Sequence, residues 1–152
     1  MELAIKIIFD SNVFDDLVSG TLDISQFNNP RIEIYITHIQ VDEINACTNS
    51  EKRAKLFNIM TEIRPKKLAT ESFVVGHSRI GSAKIGDGNL IEKLRNENLN
   101  RTNDALIGET AIKNKLILIT NDRKLKNKII ELNGEALTPQ ELNKLLISTN
   151  FS

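Results

Sequence analysis

The sequence predicts an α/β fold in which a central, mostly parallel sheet lies between two layers of helices. Short apolar runs rich in β-branched residues alternate with segments whose apolar residues recur at helical spacing. Aspartates stand just after two of these runs, where buried strands would leave a parallel sheet. A chain of 152 residues is also expected to form one domain with a core of ordinary size.

The composition indicates a cytoplasmic protein without a membrane partner. The single Cys47 cannot form an intrachain disulfide, which suits a reducing compartment. We expect no signal peptide, because the apolar run at residues 3–9 is interrupted by Lys6 and stops at Asp10. No run approaches the roughly 20 apolar residues that a membrane-spanning helix needs.

The net charge is zero, but the charges are distributed unevenly. Residues 1–51 contain nine acidic and two basic residues, whereas residues 52–152 contain eighteen basic and eleven acidic ones. The segment 113–128 has six basic residues around a single acid, Asp122. A charge run is usually a solvated face. A basic rim beside an acidic site is, however, also what a metal-dependent enzyme acting on phosphodiesters needs.

The first strand and the first helix are predicted at residues 3–9 and 13–18. The strand run is apolar and β-branched. Ser11 or Asn12 can cap the helix that follows. Because a cap is already available, Asp10 is not needed as one, and we expect it at the carboxyl end of the strand.

A second strand and two more helices are predicted next. Residues 32–36 alternate with a period of two, as a strand does. Thr37 and Gln40 have the spacing of a capping box and begin the next helix. Ser50 is the predicted cap of an amphipathic helix over residues 51–63.

Residues 76–88 contain four of the seven glycines. Their spacing matches neither a P-loop nor a dinucleotide-binding fingerprint. We predict a mobile loop here, which together with a helix at 89–99 forms an insertion at about residues 76–100.

The second half of the chain is organised around residues 103–122. The first part has helical spacing, and Asn103 can cap that helix. Residues 116–119 form a continuous apolar run, as expected for a strand covered on both faces. Asp104 would then lie at a helix start and Asp122 just past a strand end, so both can face one crevice.

A basic helix, a short strand and a capped helix are predicted at the end of the chain. The helix covers residues 123–132, with Ile130 among the apolar residues directed inward. Residues 135–137 form the strand. Thr138 and Glu141 form a capping box for the last helix.

Four acids are candidates for a metal site: Asp10, Glu43, Asp104 and Asp122. Two of them follow strands, and the other two lie near helix starts. Asp42 is adjacent to Glu43 and points about 100° away from it, so only one of this pair can face the strand ends. Carboxylates gathered at one place raise one another's pKa, and a bound divalent cation removes that penalty. A water beside such a cation can act as a nucleophile.

The chain resembles the PIN-domain nucleases, the family that includes VapC-type toxins. The resemblance extends over residues 3 to about 146. It implies one PIN-like domain of three α/β/α layers over residues 1–152, with the insertion described above. The similar segments are residues 9–14 (FDSNVF), 41–44 (VDEI), 103–107 (NDALI), 118–122 (LITND) and 138–141 (TPQE).

The resemblance also implies a catalytic site that binds Mg²⁺ or Mn²⁺ through the four acids. Asp10 and Asp104 would be the most direct ligands. Glu43 would bind metal or help to activate water, and Asp122 would act through a water. The hydrogen-bonding residues expected to orient these carboxylates are Ser11, Asn12 and Thr120.

The activity implied by the resemblance is hydrolysis of RNA phosphodiester bonds to give a 5′-phosphate end. Many members of the family form homodimers, and a small antitoxin inhibits the toxin branch, so both are expected partners. Basic residues near the site are expected to contact RNA phosphates. These residues are Arg101, Arg123, Lys124 and Lys126.

Several alternatives stay open. A phosphatase of the haloacid-dehalogenase type would need a second aspartate two residues after Asp10, where Asn12 stands. A non-catalytic RNA-binding or scaffold protein of the same fold is the main alternative. The long glycine-rich stretch is also compatible with a stand-alone nuclease outside the toxin branch. Glu109 is either a further acid at the site or a solvated acid, and we favour the solvated position.

Overall fold

The computed structural model describes residues 4–70 and 102–148. In these ranges five strands form one sheet in the order β3-β2-β1-β4-β5, and every neighbouring pair is parallel. This arrangement confirms the predicted α/β fold. The strands are β1 (Ile5–Phe9), β2 (Ile32–Ile36), β3 (Lys66–Lys67), β4 (Ile117–Ile119) and β5 (Glu135–Leu137).

Six α-helices and one short 3₁₀ helix connect or follow these strands in the described ranges. The 3₁₀ helix, Ile24–Asn28, precedes β2. The strand order reverses once, because β2 and β3 lie on one side of β1 whereas β4 and β5 lie on the other. The α-helices are α1 (Val13–Ser19), α2 (His38–Asn45), α3 (Ser50–Ile63), α4 (Thr102–Lys113), α5 (Arg123–Glu131) and α6 (Pro139–Ser148).

Alternate residues of the central strands face two separate hydrophobic cores. Ile7 and Phe9 pack into the first core, with apolar residues of α1, α3 and α6. Ile8 packs into the second core, with residues of α4 and α5. The short helix α2 contributes Ile44 to the first core and Ile39 to the second. Because the side chains of a strand alternate between its faces, the sheet lies between two helical layers, as predicted.

Both predicted capping boxes are present. At the start of α2, Thr37 accepts a hydrogen bond from the backbone of the helix, and Gln40 accepts one from the Thr37 N–H at 2.8 Å. At the start of α6, the Thr138 N–H donates to Glu141 at 3.0 Å, and the Glu141 N–H donates to the Thr138 hydroxyl at 3.2 Å. Helix starts specified by four consecutive residues were therefore predicted correctly.

Two residues that were predicted to cap helices lie inside those helices instead. The cap of α3 is Asn49, whose side chain accepts a hydrogen bond from the Lys52 N–H at 3.1 Å, whereas Ser50 is already helical. Asn49 has the extended backbone that a capping position requires. Helix α4 begins at Thr102, so Asn103 lies inside its first turn rather than before it.

The prediction that Ile130 points inward is also wrong, since this side chain is 49% exposed. Leu125 and Ile129 are buried, and they are four residues apart on one face of α5. Ile130 lies about 100° further around the helix, beyond the buried stripe.

One strand was not predicted, and some of the predicted features lie outside the described residues. Strand β3 was missed, because it consists of two lysines that pair with Tyr35 and Ile36. The glycine-rich loop at 76–88, the insertion at 76–100 and Arg101 lie outside the described residues.

Among the helices of the described residues, none has the length and hydrophobicity required to cross a membrane.

Candidate active site at the carboxyl edge of the sheet

The topology brings three of the four predicted acids to one edge of the sheet. Asp10 and Asp122 follow the carboxyl ends of β1 and β4, which are neighbouring strands. Asp104 is in the first turn of α4, and this helix ends shortly before the amino end of β4. Helix α4 therefore runs back along the sheet, and its first turn lies at the carboxyl edge. The strand order reverses between β1 and β4, which is where α/β sheets bind ligands.

Asp10 is held firmly at this edge. Its side chain is buried, with 4% of the residue exposed. The hydroxyl of Thr120 donates to Asp10 Oδ2 at 2.8 Å, and the Ser11 N–H donates to Oδ1 at 2.8 Å. The backbone N–H of Asp10 donates to the carbonyl of Ile119 at 2.9 Å. Ile119, the last residue of β4, thus orients the backbone of Asp10, and Thr120, which follows the strand, orients its carboxylate.

Asp122 caps helix α5, a role that was not predicted from the sequence. Its Oδ1 accepts hydrogen bonds from the Lys124 N–H at 2.9 Å and the Leu125 N–H at 3.2 Å. The backbone N–H of Asp122 donates to the hydroxyl of Thr120 at 3.0 Å. Because both capping bonds use Oδ1, the other carboxylate oxygen, Oδ2, is not needed for capping and can accept a hydrogen bond from a water.

Glu43 lines a cleft of about 210 Å³ together with Ser11 and Asn12. The hydroxyl oxygen of Ser11 is buried and has no hydrogen-bond partner among the described residues. Asn12 occupies the N-cap position of α1, but its exposed side chain makes no capping hydrogen bond. The cleft therefore places Glu43 beside the two residues that follow Asp10 in the chain.

Two further charged residues line the same cleft and were not singled out from the sequence. Lys52, at the start of α3, lies 3.3 Å from Asp15 of α1, measured from Nζ to Oδ1. Both side chains are about half exposed. This ion pair is too exposed to stabilise the fold by more than about 1 kcal/mol. No local sequence pattern connects residues that lie so far apart in the chain.

Asp104 and Glu109 are both buried in α4. Asp104 is 8% exposed and Glu109 is 0% exposed. The favoured interpretation of Glu109 as a solvated acid is therefore wrong. Residues 104–111 are buried without a break, because α4 packs against both the sheet and α5. The Glu109 carboxylate lies 3.9 Å from Lys113 Nζ, one turn further along the helix.

The predicted phosphate-binding residues differ in their surroundings. Arg123 and Lys124, in the first turn of α5, are exposed. Lys126 instead forms an ion pair with Glu141, with 2.5 Å between Nζ and Oε1. The hydrogen bond from Lys126 lowers the pKa of Glu141 to about 2. Lys126 is therefore engaged within the protein, whereas Arg123 and Lys124 face solvent.

The donor atoms at this edge suit a divalent cation in their chemistry. Mg²⁺ prefers carboxylate and other oxygen ligands, and it is often held by only one or two carboxylates together with waters and substrate phosphates. Within residues 4–70 and 102–148, no group of three or more His, Cys, Asp or Glu side chains is arranged to hold a metal ion. Where Mg²⁺ is held by only one or two carboxylates, the best candidates here are the two buried aspartates, Asp10 and Asp104.

Of the comparisons with known proteins, the one with solved structures found similar chains. No protein-family model and no curated protein matches the chain. PAE2754 from Pyrobaculum aerophilum has 16% sequence identity and a TM-score of 0.61, and the match covers 96% of this chain and 99% of that one. A domain of a functionally unknown protein from Methanocaldococcus jannaschii has 22% identity and a TM-score of 0.52, with coverages of 89% and 91%. FitAcB from Neisseria gonorrhoeae has 14% identity and a TM-score of 0.45, with coverages of 88% and 98%. The first two structures share the fold of this chain over nearly its whole length.

Proposed function

We propose that this protein is a metal-dependent endoribonuclease with a PIN-like active site. The observation that carries the proposal is the buried carboxylate of Asp10, which Thr120 orients at the point where the strand order reverses. Thr120 and Ser11 donate to the two oxygens of this carboxylate and so fix the direction in which it faces. A carboxylate oxygen can accept a hydrogen bond and bind a divalent cation at the same time, and such a cation would also bind a phosphodiester.

Each residue has a distinct role in this proposal. Asp10 and Asp104 would hold Mg²⁺ or Mn²⁺, which when bound would act as a Lewis acid toward the phosphate. Glu43 would take the proton from the attacking water, since it lines the cleft beside Ser11. Asp122 would orient that water through Oδ2, because Oδ1 caps α5.

The exposed cations at the start of α5 support a polyanionic substrate. Arg123 and Lys124 directly follow Asp122, so phosphates of an RNA strand beside the acidic edge would lie within their reach. From the resemblance to PIN-domain nucleases we also propose that the protein forms a homodimer. We further propose that it is the toxin of a toxin–antitoxin pair and is inhibited by a small antitoxin.

The test compares cleavage of a mixed RNA pool, tRNA included, with and without Mn²⁺. Wild-type protein is compared with Asp104→Asn and with a matched control, Asp23→Asn. Asp23 caps the 3₁₀ helix that leads to the amino end of β2, away from the acidic edge. We expect metal-dependent cleavage by the wild type and the control, and a loss of at least about 100-fold in Asp104→Asn, as for removal of a group that stabilises the transition state.

Three results would contradict parts of this proposal. Equal cleavage by the wild type and Asp104→Asn would refute the assignment of Asp104. Cleavage that persists without metal would refute the metal-dependent mechanism. Wild-type protein that neither binds Mn²⁺ nor cuts RNA would instead favour the non-catalytic RNA-binding or scaffold protein of the same fold.

A further inference from the structure

Gln40 is completely buried between α2 and the end of β1, and both ends of its side-chain amide are used. Its Oε1 accepts hydrogen bonds from the Thr37 N–H at 2.8 Å and from the Thr37 hydroxyl at 2.6 Å. Its Nε2 donates to the carbonyl oxygen of Phe9 at 3.0 Å. A capping box requires only the acceptor. The donor therefore has a separate role.

The carbonyl of Phe9 needs this donor because of where β2 ends. The register of β1 with β2 ends at the pair Ile8 and Tyr35, and the chain turns into α2 at Thr37. Phe9 is fully buried in a central strand, so water cannot reach its backbone freely. A buried carbonyl without a donor is costly. The amide of Gln40 takes the place of the next hydrogen bond between the strands.

The peptide group that Gln40 binds is the one that leads into Asp10. Its carbonyl accepts from Gln40, and its N–H, which belongs to Asp10, donates to Ile119 of β4 at 2.9 Å. This peptide group is therefore held from both sides, by α2 and by β4. Its orientation determines where the Asp10 side chain leaves the backbone.

Glu43 lies three residues after Gln40 on α2, so the two side chains project from neighbouring positions on one side of the helix. Glu43 lines the cleft beside Ser11, the residue that follows Asp10. We propose that Gln40 is a positioning residue that fixes the spacing between the carboxylates of Asp10 and Glu43. This inference rests on the proposed function, because it assigns both carboxylates to one active site, with Asp10 as a cation ligand and Glu43 beside it as the base.

The substitution Gln40→Glu separates the two roles of the amide. A glutamate can still accept the hydrogen bonds of the capping box, but an ionised carboxylate has no N–H to offer Phe9. The matched control is Thr138→Ala, which breaks the other capping box, at the start of α6. A second variant, Gln40→Met, keeps the volume of the side chain without burying a carboxylate. It removes both the donor to Phe9 and the acceptor of the capping box, and Thr138→Ala controls for the loss of a capping box.

The experiment titrates Mn²⁺ into the full chain by calorimetry for the wild type and each variant, followed by thermal unfolding. We expect Gln40→Glu and Gln40→Met to bind Mn²⁺ about 10- to 100-fold more weakly, as for other residues that orient metal ligands. Thr138→Ala should lower the unfolding temperature and leave the affinity unchanged.

The possible results separate this inference from the proposed function. Wild-type affinity in both Gln40 variants would overturn the role of Gln40 and leave the nuclease proposal intact. An equal loss of affinity in Thr138→Ala would also overturn it, because general destabilisation would then be the cause. A wild type that does not bind Mn²⁺ would overturn the proposed function, and this inference with it.

Discussion

Replacing Thr120 with valine would remove the two hydrogen bonds of its hydroxyl without changing the size of the side chain. Thr120 is fully buried, donates to the Asp10 carboxylate at 2.8 Å and accepts from the Asp122 N–H at 3.0 Å. The bond to the carboxylate is worth about 1.5–3 kcal/mol, and the bond from the N–H about 0.5–1.5 kcal/mol. Thr120→Val should therefore lower the free energy of unfolding by about 2–4.5 kcal/mol. Since typical domains are stable by about 5–15 kcal/mol, we expect the variant to fold.

The matched control is Thr120→Ser, which keeps the hydroxyl and removes only a methyl group. For a chain of this length, the expected loss in Thr120→Val corresponds to a fall in unfolding temperature of about 5–15 °C. Thermal unfolding and urea titration of both variants measure the difference. If Thr120→Val were no less stable than Thr120→Ser, the hydroxyl would contribute no net stability, and the argument that it holds Asp10 in place would fail.

Two further predictions concern the charged residues around α5. Because Lys126 lowers the pKa of Glu141 from 4.5 to about 2, the stabilisation from Glu141 should be complete above about pH 4.5 and decline as the pH falls toward 2. Glu141→Gln should flatten this dependence in urea titrations at several pH values, and an unchanged profile would contradict it. Replacing Arg123 and Lys124 with glutamine should weaken binding of all RNA sequences and reduce the slope of log K against log salt by about 0.7–0.9 per lost phosphate contact. Lys126→Gln should have a smaller effect, and an unaltered salt slope in the double variant would refute these phosphate contacts.

The fold was predictable where neighbouring residues carry the information. The bounds of β2 follow from five alternating residues, and the starts of α2 and α6 follow from capping boxes. Strand β3 was not predictable, because two lysines have no strand pattern and their pairing depends on Tyr35 and Ile36, about thirty residues earlier. The exposure of Ile130 was missed because apolar residues at 129 and 130 fit a helical pattern equally well, and only packing distinguishes them.

The candidate site was predictable in position but not in detail. An aspartate directly after a buried strand must lie at the carboxyl edge, which is how the sequence located Asp10. The burial of Glu109 depends on how α4 packs against the sheet and α5, and no local pattern reports that packing. The capping spacing of Gln40 was recognised, whereas its bond to Phe9 joins residues 31 positions apart. Local patterns therefore predict what a residue does for its own helix, but not what it does for a neighbouring strand.

The direction of the hydrogen bonds around Thr120 connects the fold to the proposed chemistry. A backbone N–H can only donate, so the N–H of Asp122 uses the Thr120 oxygen as an acceptor and leaves the Thr120 proton for Asp10. The Ser11 N–H likewise can only donate to the other oxygen of Asp10. Both oxygens of Asp10 are thus acceptors, as a ligand of a cation must be, and a carboxylate oxygen can accept a hydrogen bond and bind a metal ion at the same time. The turn from β4 into α5, which contains Thr120, therefore sets the orientation in which the Asp10 carboxylate would bind a cation.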